Sequence, residues 1–298
     1  MGYKLRPQDP AAEVRKVARQ GIEKAIEALS VSPSDRGEGV HQARKRFKEM
    51  RALLRLVRKP LGPEFKHENQ RLRDLGRSLA ESRDATAMLE SWDLLAKRYP
   101  ELIADSNFGQ VRKRLEDRTA QAGGDTADLD RHIAQAIEEL NALGARIDSW
   151  PLKTNGFDLL ANGIGRTYAD GCAELAKVRL DLSDEQLHQW RKRVKDHWYQ
   201  TRLLAPSWPK LMALRSDTLK RLADMLGDDH DLAVMRELMQ AQPQLFGDDN
   251  LRERLGIAIA QRRGELQSAA LKLGDELYLE APKDLVARWQ RYWEGADD

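Results

Sequence analysis

VHQARKRFKEMRALLRLV, residues 40–57, decides the fold, because LHQWRKRVKDHWYQTRLL at 187–204 lies over it at a shift of 147 residues. Eight of these 18 positions are identical: His41/His188, Gln42/Gln189, Arg44/Arg191, Lys45/Lys192, Arg46/Arg193, Lys48/Lys195, Arg55/Arg202 and Leu56/Leu203. In the first copy Val40, Ala43, Phe47, Met50, Leu54 and Val57 step by three and four, which is the stripe a bundle helix buries. One residue out of phase, His41, Arg44, Lys48, Arg51 and Arg55 step the same way, so a ridge of cations stands about 100° round the helix from the buried stripe. At about 1.5 Å per residue the ridge is roughly 21 Å long, and its cations repel one another across about 5–6 Å. The second copy keeps the device as His188, Arg191, Lys195, Trp198 and Arg202, with Trp198 in place of one cation.

Outward from these copies the shift persists. Arg19 meets Arg166, and LRDLGRSLAESRDATAM (72–88) meets LKRLADMLGDDHDLAVM (219–235), which places Arg73 over Lys220. A constant shift implies matching helix lengths and loops. The chain is therefore read as two repeats, 1–150 and 151–298, each an up-and-down bundle of roughly four helices, related by a pseudo-two-fold axis. Aromatic residues are only 6% of the chain, alternating apolar runs are missing, and Ala, Leu, Glu, Lys, Arg and Gln dominate, so the class is all-α. Breaks at SVSPSDRGEG (30–39), KPLGP (59–63), AGGDT (122–126), SWPLKTNG (149–156), APSWP (205–209), PQLFGDD (243–249) and APK (281–283) cut it into helix-sized pieces.

The 298 residues carry 50 Lys+Arg against 48 Asp+Glu, a net +2 that excludes a histone-like basic protein. The total hides a division. Residues 40–59 carry +7 and 187–204 carry +4, which leaves −9 for the rest of the chain. Each ridge has one acid beside it, Glu49 or Asp196, so neutralisation along the helix fails and a polyanion is the expected partner. The single Cys172 excludes a disulfide framework and a multi-cysteine zinc site; a reducing, cytoplasmic setting and an inert thiol are expected. The N-terminus has no apolar segment of the signal-peptide kind, and no run of 18 apolar residues predicts membrane insertion.

His41 and His188 fall near the starts of their helices, where the dipole favours anions. Ser183 with Gln186 fits a capping box, and Leu182 with Leu187 a hydrophobic staple. If either histidine donates to an anion, affinity should grow as pH falls below about 6.5. Gly227 followed by Asp228, Asp229, His230 and Asp231 reads as a helix end and a new cap, with no metal site. Gly163 and Gly165 lack the preceding strand of a dinucleotide loop. Trp190 aligns with Ala43 on the apolar stripe and reads as core, whereas Trp198 is open to core packing or to base stacking.

The paired His-x-x-Arg-Lys-x-x-Lys copies, each followed by a helix ending LAESRDATAM or LGDDHDLAVM, resemble the duplicated signature of the CHAD family, the conserved-histidine α-helical domain. The resemblance covers nearly the whole chain. It implies two four-helix bundles around a basic central groove or pore that binds inorganic polyphosphate without a cofactor or metal. The binding role then falls on His41, Arg44, Lys45, Lys48, Arg51 and Arg55, on His188, Arg191, Lys192, Lys195 and Arg202, on the aligned Arg73 and Lys220, and on Arg19 with Arg166. The sequence departs from symmetry where Arg51 becomes Trp198 and where Arg83-Asp84 becomes His230-Asp231. The Glu-x-Glu-x-Lys signature of the CYTH domain often fused to this family is missing from the N-terminus, so a stand-alone domain is expected. Nucleic-acid binding is the alternative, with no specific sequence expected; association with polyphosphate or polyhydroxyalkanoate granules is compatible. A phosphohydrolase lacks the carboxylates that would hold Mg²⁺ beside the ridge.

Overall fold

The computed structural model describes residues 3–79, 84–103, 108–122, 126–153 and 156–296. Its α-helices are α1 Pro10–Leu29, α2 Arg36–Leu56, α3 Arg58–Leu61, α4 Pro63–Ser78, α5 Asp84–Arg98, α6 Pro100–Ile103, α7 Phe108–Ala122, α8 Thr126–Arg146, α9 Asp158–Leu180, α10 Asp184–Leu203, α11 Pro209–Ala241, α12 Asp249–Leu277 and α13 Pro282–Glu294. The fold is all-α, with no strand among the described residues. None of the described helices is long and apolar enough to cross a membrane.

Local chemistry sets the boundaries. Asp9 accepts a hydrogen bond from Ala12 N at 3.0 Å, Asp248 accepts one from Leu251 N at 2.8 Å, and prolines open α1, α4, α11 and α13, where no amide hydrogen is needed. Three boundary expectations are corrected. Helix α2 begins at Arg36, four residues ahead of Val40, after a 3₁₀ turn at Pro33–Asp35. Ser183 does precede α10, but its hydroxyl donates to Asp181 Oδ2 at 2.7 Å; Leu182 stays 48% exposed, so neither capping box nor staple forms. Helix α11 runs unbroken through Gly227, because the consecutive acids diverge round the helix and Asp229 turns inward to Arg263 at 2.9 Å and Gln267 at 2.9 Å.

The 147-residue shift is visible as packing. Helices α1 and α4 flank α2, and α9 and α11 flank α10 in the corresponding way; α8 lies on α1 as α13 lies on α9. Helices α2 and α10 pack on each other, where Gln200 Nε2 donates to Ala52 O at 3.4 Å and Thr167 Oγ1 at 3.0 Å. The apolar stripe of α2 is buried as its periodicity requires, with Val40, Ala43, Phe47, Met50, Leu54 and Val57 all at 3% exposure or less. Each large side chain of this kind contributes roughly 2 kcal/mol. Trp190 is fully buried against Gly274 of α12, where a Cβ would meet the indole at 2.6 Å. Gly163 lets α9 cross the end of α2: a Cβ there would lie 1.9 Å from Leu56 O, so close packing accounts for this glycine.

Two clusters of buried residues form the core. The larger joins Phe47, Leu54 and Leu72 to Tyr168, Trp190, Leu219 and Trp289. The smaller joins Trp92, Phe108 and Val111 from α5 and α7 to Met235, Phe246 and Leu255 around α11 and α12, with Trp92 stacked on Phe108 at 4.4 Å. Both clusters draw side chains from before and after residue 150.

Candidate functional site

Because α2 and α10 lean on each other through buried stripes, their cationic ridges are brought to one place. Together with α4 they enclose an open cleft of about 610 Å³. Ten lysines and arginines line it: Arg44, Lys48, Arg51 and Arg55 from α2, Arg73 and Arg77 from α4, and Arg191, Lys192, Arg193 and Lys195 from α10. His188 and Gln189 stand with them, Phe47, Leu72, Gly76 and Tyr199 form the apolar wall, and Asp196 is the only acid in the lining.

That acid is already shared. Asp196 takes Arg193 of its own helix at 3.3 Å and Arg55 of α2 at 3.1 Å. Its aligned counterpart Glu49 takes Arg46 at 2.6 Å and Arg202 of α10 at 3.2 Å. The two sets exchange under the 147-residue shift, so one acid per repeat ties its own helix to the other. Glu49 and Asp196 are both buried, and buried pairs of this kind hold geometry more than they add stability.

The other lining cations stand close to one another. Arg51 donates through Nε to Asn69 Oδ1 at 3.2 Å, yet burial, with Arg55 next and Arg73 and Arg193 adding to it, lowers its pKa to about 10 against a weaker opposing pull from Asp196. Lys192 is also lowered, first by burial and then by Arg193. Arg44 Nη1 donates to Gly76 O at 2.8 Å, which holds that guanidinium against α4. His188 packs against His230 with ring centres 4.5 Å apart and planes tilted by 37°, and burial, then His230, Lys192 and Arg191, lowers its pKa to about 4. It is therefore neutral near pH 7 in the free protein, a lower starting point than the ordinary value near 6.5. Arg191 Nε and His188 Nδ1 are buried without a hydrogen-bond partner among the described residues. Ten cations and two buried nitrogens without a hydrogen-bond partner among the described residues thus share one concave lining.

A family model, the CHAD domain, matches residues 12–240. The chain belongs to the CHAD domain family. It is also 28% identical over 246 residues to an uncharacterized protein of Mycobacterium tuberculosis strain CDC 1551 / Oshkosh, MT2285, and equally to Rv2226 of strain ATCC 25618 / H37Rv. Each match covers 78% of this chain and 45% of the relative, so the chain spans less than half the length of these proteins.

Within this CHAD domain the structure divides the residues singled out by sequence. Arg44, Lys48, Arg51, Arg55, Arg73, His188, Arg191, Lys192 and Lys195 share the cleft. His41, Lys45, Arg202, Lys220, Arg19 and Arg166 do not line it. Arg202 is engaged with Glu49 and lies over the faces of Trp198 at 5.1 Å and Tyr3 at 5.6 Å. Lys220 bridges Asp224 at 2.5 Å on the exposed side of α11. Arg19 pairs with Asp148, and Arg166 is exposed on α9. Trp198, left open by sequence, donates through its indole to Ser216 Oγ at 3.2 Å and packs on Tyr199, a structural role. Arg83 of the Arg83/His230 departure lies outside the described residues. Two cleft residues escaped the ridge pattern. Arg77 lies four residues beyond Arg73 on α4, a spacing that puts both on one face, and Arg193 belongs to the identical pairs but sits two positions from the ridge residues on either side.

Proposed function

We propose that this CHAD domain binds inorganic polyphosphate in the cleft between α2, α4 and α10, as a module that carries out no covalent step. Support comes from the lining: ten cations against one acid that is already bracketed by two of them. A linear polymer with one negative charge per phosphate supplies what such a lining lacks. Arginines take phosphate oxygens in pairs and lysines act as point charges, each charge-assisted bond contributing about 1.5–3 kcal/mol. The −9 carried outside the two ridges repels a polyanion elsewhere and confines it to the cleft.

Titration calorimetry with long-chain polyphosphate at low salt tests this. Binding should be lost when Lys48→Glu and Lys195→Glu are combined, and affinity should fall on the order of 10³-fold between about 50 and about 200 mM salt if about six phosphates are neutralised. Unchanged binding by the double variant, or salt-insensitive binding, rejects the proposal. Competition separates it from nucleic-acid recognition: polyphosphate displaces RNA at equal phosphate concentration, whereas a reader of bases shows a sequence or strand preference. The cleft favours the first outcome, since Trp198, which could have stacked a base, is occupied by Ser216 and Arg202.

A further inference from the structure

A second pocket of about 270 Å³, sharing no residue with the cationic cleft, opens between the first turns of α11, the end of α12 and α13. Its walls combine Leu211, Leu214, Trp289 and Tyr292 with the polar Thr218, Glu276 and Arg288, the last held by Glu280, and Leu214 stays 66% exposed at its edge. Arg215 also lines it. The guanidinium is anchored at two corners: Nε donates to His197 Nε2 at 3.2 Å and Nη2 to Leu277 O at 3.2 Å. Neither bond uses Nη1.

Arg215 is a largely buried cation with no ion pair among the described residues. Burial lowers its pKa. Its neighbour His197 is fully buried, and burial followed by Arg215 holds it well below the usual histidine range, so His197 stays neutral and adds no charge. Glu280 is held by Arg288, whose Nε reaches it at 3.1 Å and Nη2 at 2.5 Å. The faces of Tyr168 and Trp289, each 5.8 Å from the guanidinium carbon, offset part of the charge, roughly 1–2 kcal/mol. A buried ion costs several kcal/mol to desolvate, so one unit of positive charge stays unmatched beneath a partly apolar opening.

We propose that this pocket binds a small organic monocarboxylate, its carboxylate accepting from Arg215 Nη1 and its aliphatic or aromatic body covering Leu214 and Trp289. A single negative charge matches the single unmatched guanidinium. Glu276 at the rim is exposed and disfavours multiply charged anions, which would also leave the apolar part of the walls in water.

Ligand-observed NMR and calorimetry on the full chain test the proposal, with hexanoate as probe and hexylamine and inorganic phosphate as controls. Hexanoate should bind and both controls should not; Leu214→Glu, on an exposed position, should weaken hexanoate at least tenfold, and Arg215→Gln should do the same. Lys48→Glu with Lys195→Glu should leave hexanoate binding unchanged. Hexylamine or phosphate binding as well as hexanoate, full affinity in Leu214→Glu, or displacement of hexanoate by stoichiometric polyphosphate would each overturn it. Should Arg215→Gln fail to fold, Leu214→Glu decides alone.

Discussion

The two ridge helices share eight of 18 aligned residues, cations above all, and end with opposite surroundings. On the α4 side, Arg51, Arg73 and Arg77 face α10 across an open cleft. At the aligned positions the second repeat has Trp198, Lys220 and Asp224, where the indole fills space against Ser216 and the lysine is neutralised by the aspartate. The N-terminal segment completes the difference: Tyr3 donates to Glu49 O at 2.6 Å and meets Tyr199 edge-on at 6.3 Å, beside the Arg202–Glu49 pair. Duplication thus yields two cationic ridges, while three side-chain exchanges and a tyrosine leave one of the two faces open. Cations are concentrated on the open face, while packing and an ion pair occupy the other.

The contrast can be broken at its shared hinge. Glu49→Gln should destabilise the fold by about 3 kcal/mol in chemical denaturation, because removing one partner strands two guanidiniums at a buried site. Asp196→Asn should cost somewhat less, its side chain being 11% exposed against 3% for Glu49. Their effects on ligand should differ in kind. Asp196 lines the cleft, so Asp196→Asn should tighten polyphosphate binding while weakening the fold; Glu49→Gln should leave binding nearly unchanged in the folded protein. Parallel losses of stability and affinity in Asp196→Asn would contradict the role given to the open side.

Converting the open side into a copy of the closed one is the next test. Arg51→Trp with Arg77→Asp should lower polyphosphate affinity by roughly 30-fold in calorimetry, about 2 kcal/mol for the lost charge-assisted contacts. Trp198→Arg, the exchange in the other direction, should change affinity by no more than about twofold, because that position lies off the cleft.

The smallest expected effect is on pH. In the free protein His188 titrates near pH 4, lowered by burial and then by His230, Lys192 and Arg191. An anion beside it raises that pKa, so affinity should increase a fewfold as pH falls from 6.5 towards 4, with proton uptake on binding. His188→Gln should flatten this part of the profile measured by calorimetry. Folding linkage has the opposite sign. Unfolding restores the ordinary pKa near 6.5, so the contribution of neutral His188 to stability is complete above that value and declines as pH falls towards 4.

Much of this was legible in the chain. The stripe Val40 to Val57, the ridge His41 to Arg55 and the second copy 147 residues on follow from the 3.6-residue period and from identity, both local properties of sequence. Helix class, the repeat and the concentration of charge on two helices needed nothing more. Sequence could not reveal that Arg55 and Arg202 cross to the acid of the other repeat, that α11 passes unbroken through Gly227, or that Trp198 closes one face. A helical period fixes the direction in which a side chain leaves its own helix; the group it meets is set by elements more than a hundred residues away. Sequence determined that two cationic ridges exist, and tertiary structure decided which side of them stays open, because charge is a property of a residue whereas compensation is a property of its neighbours.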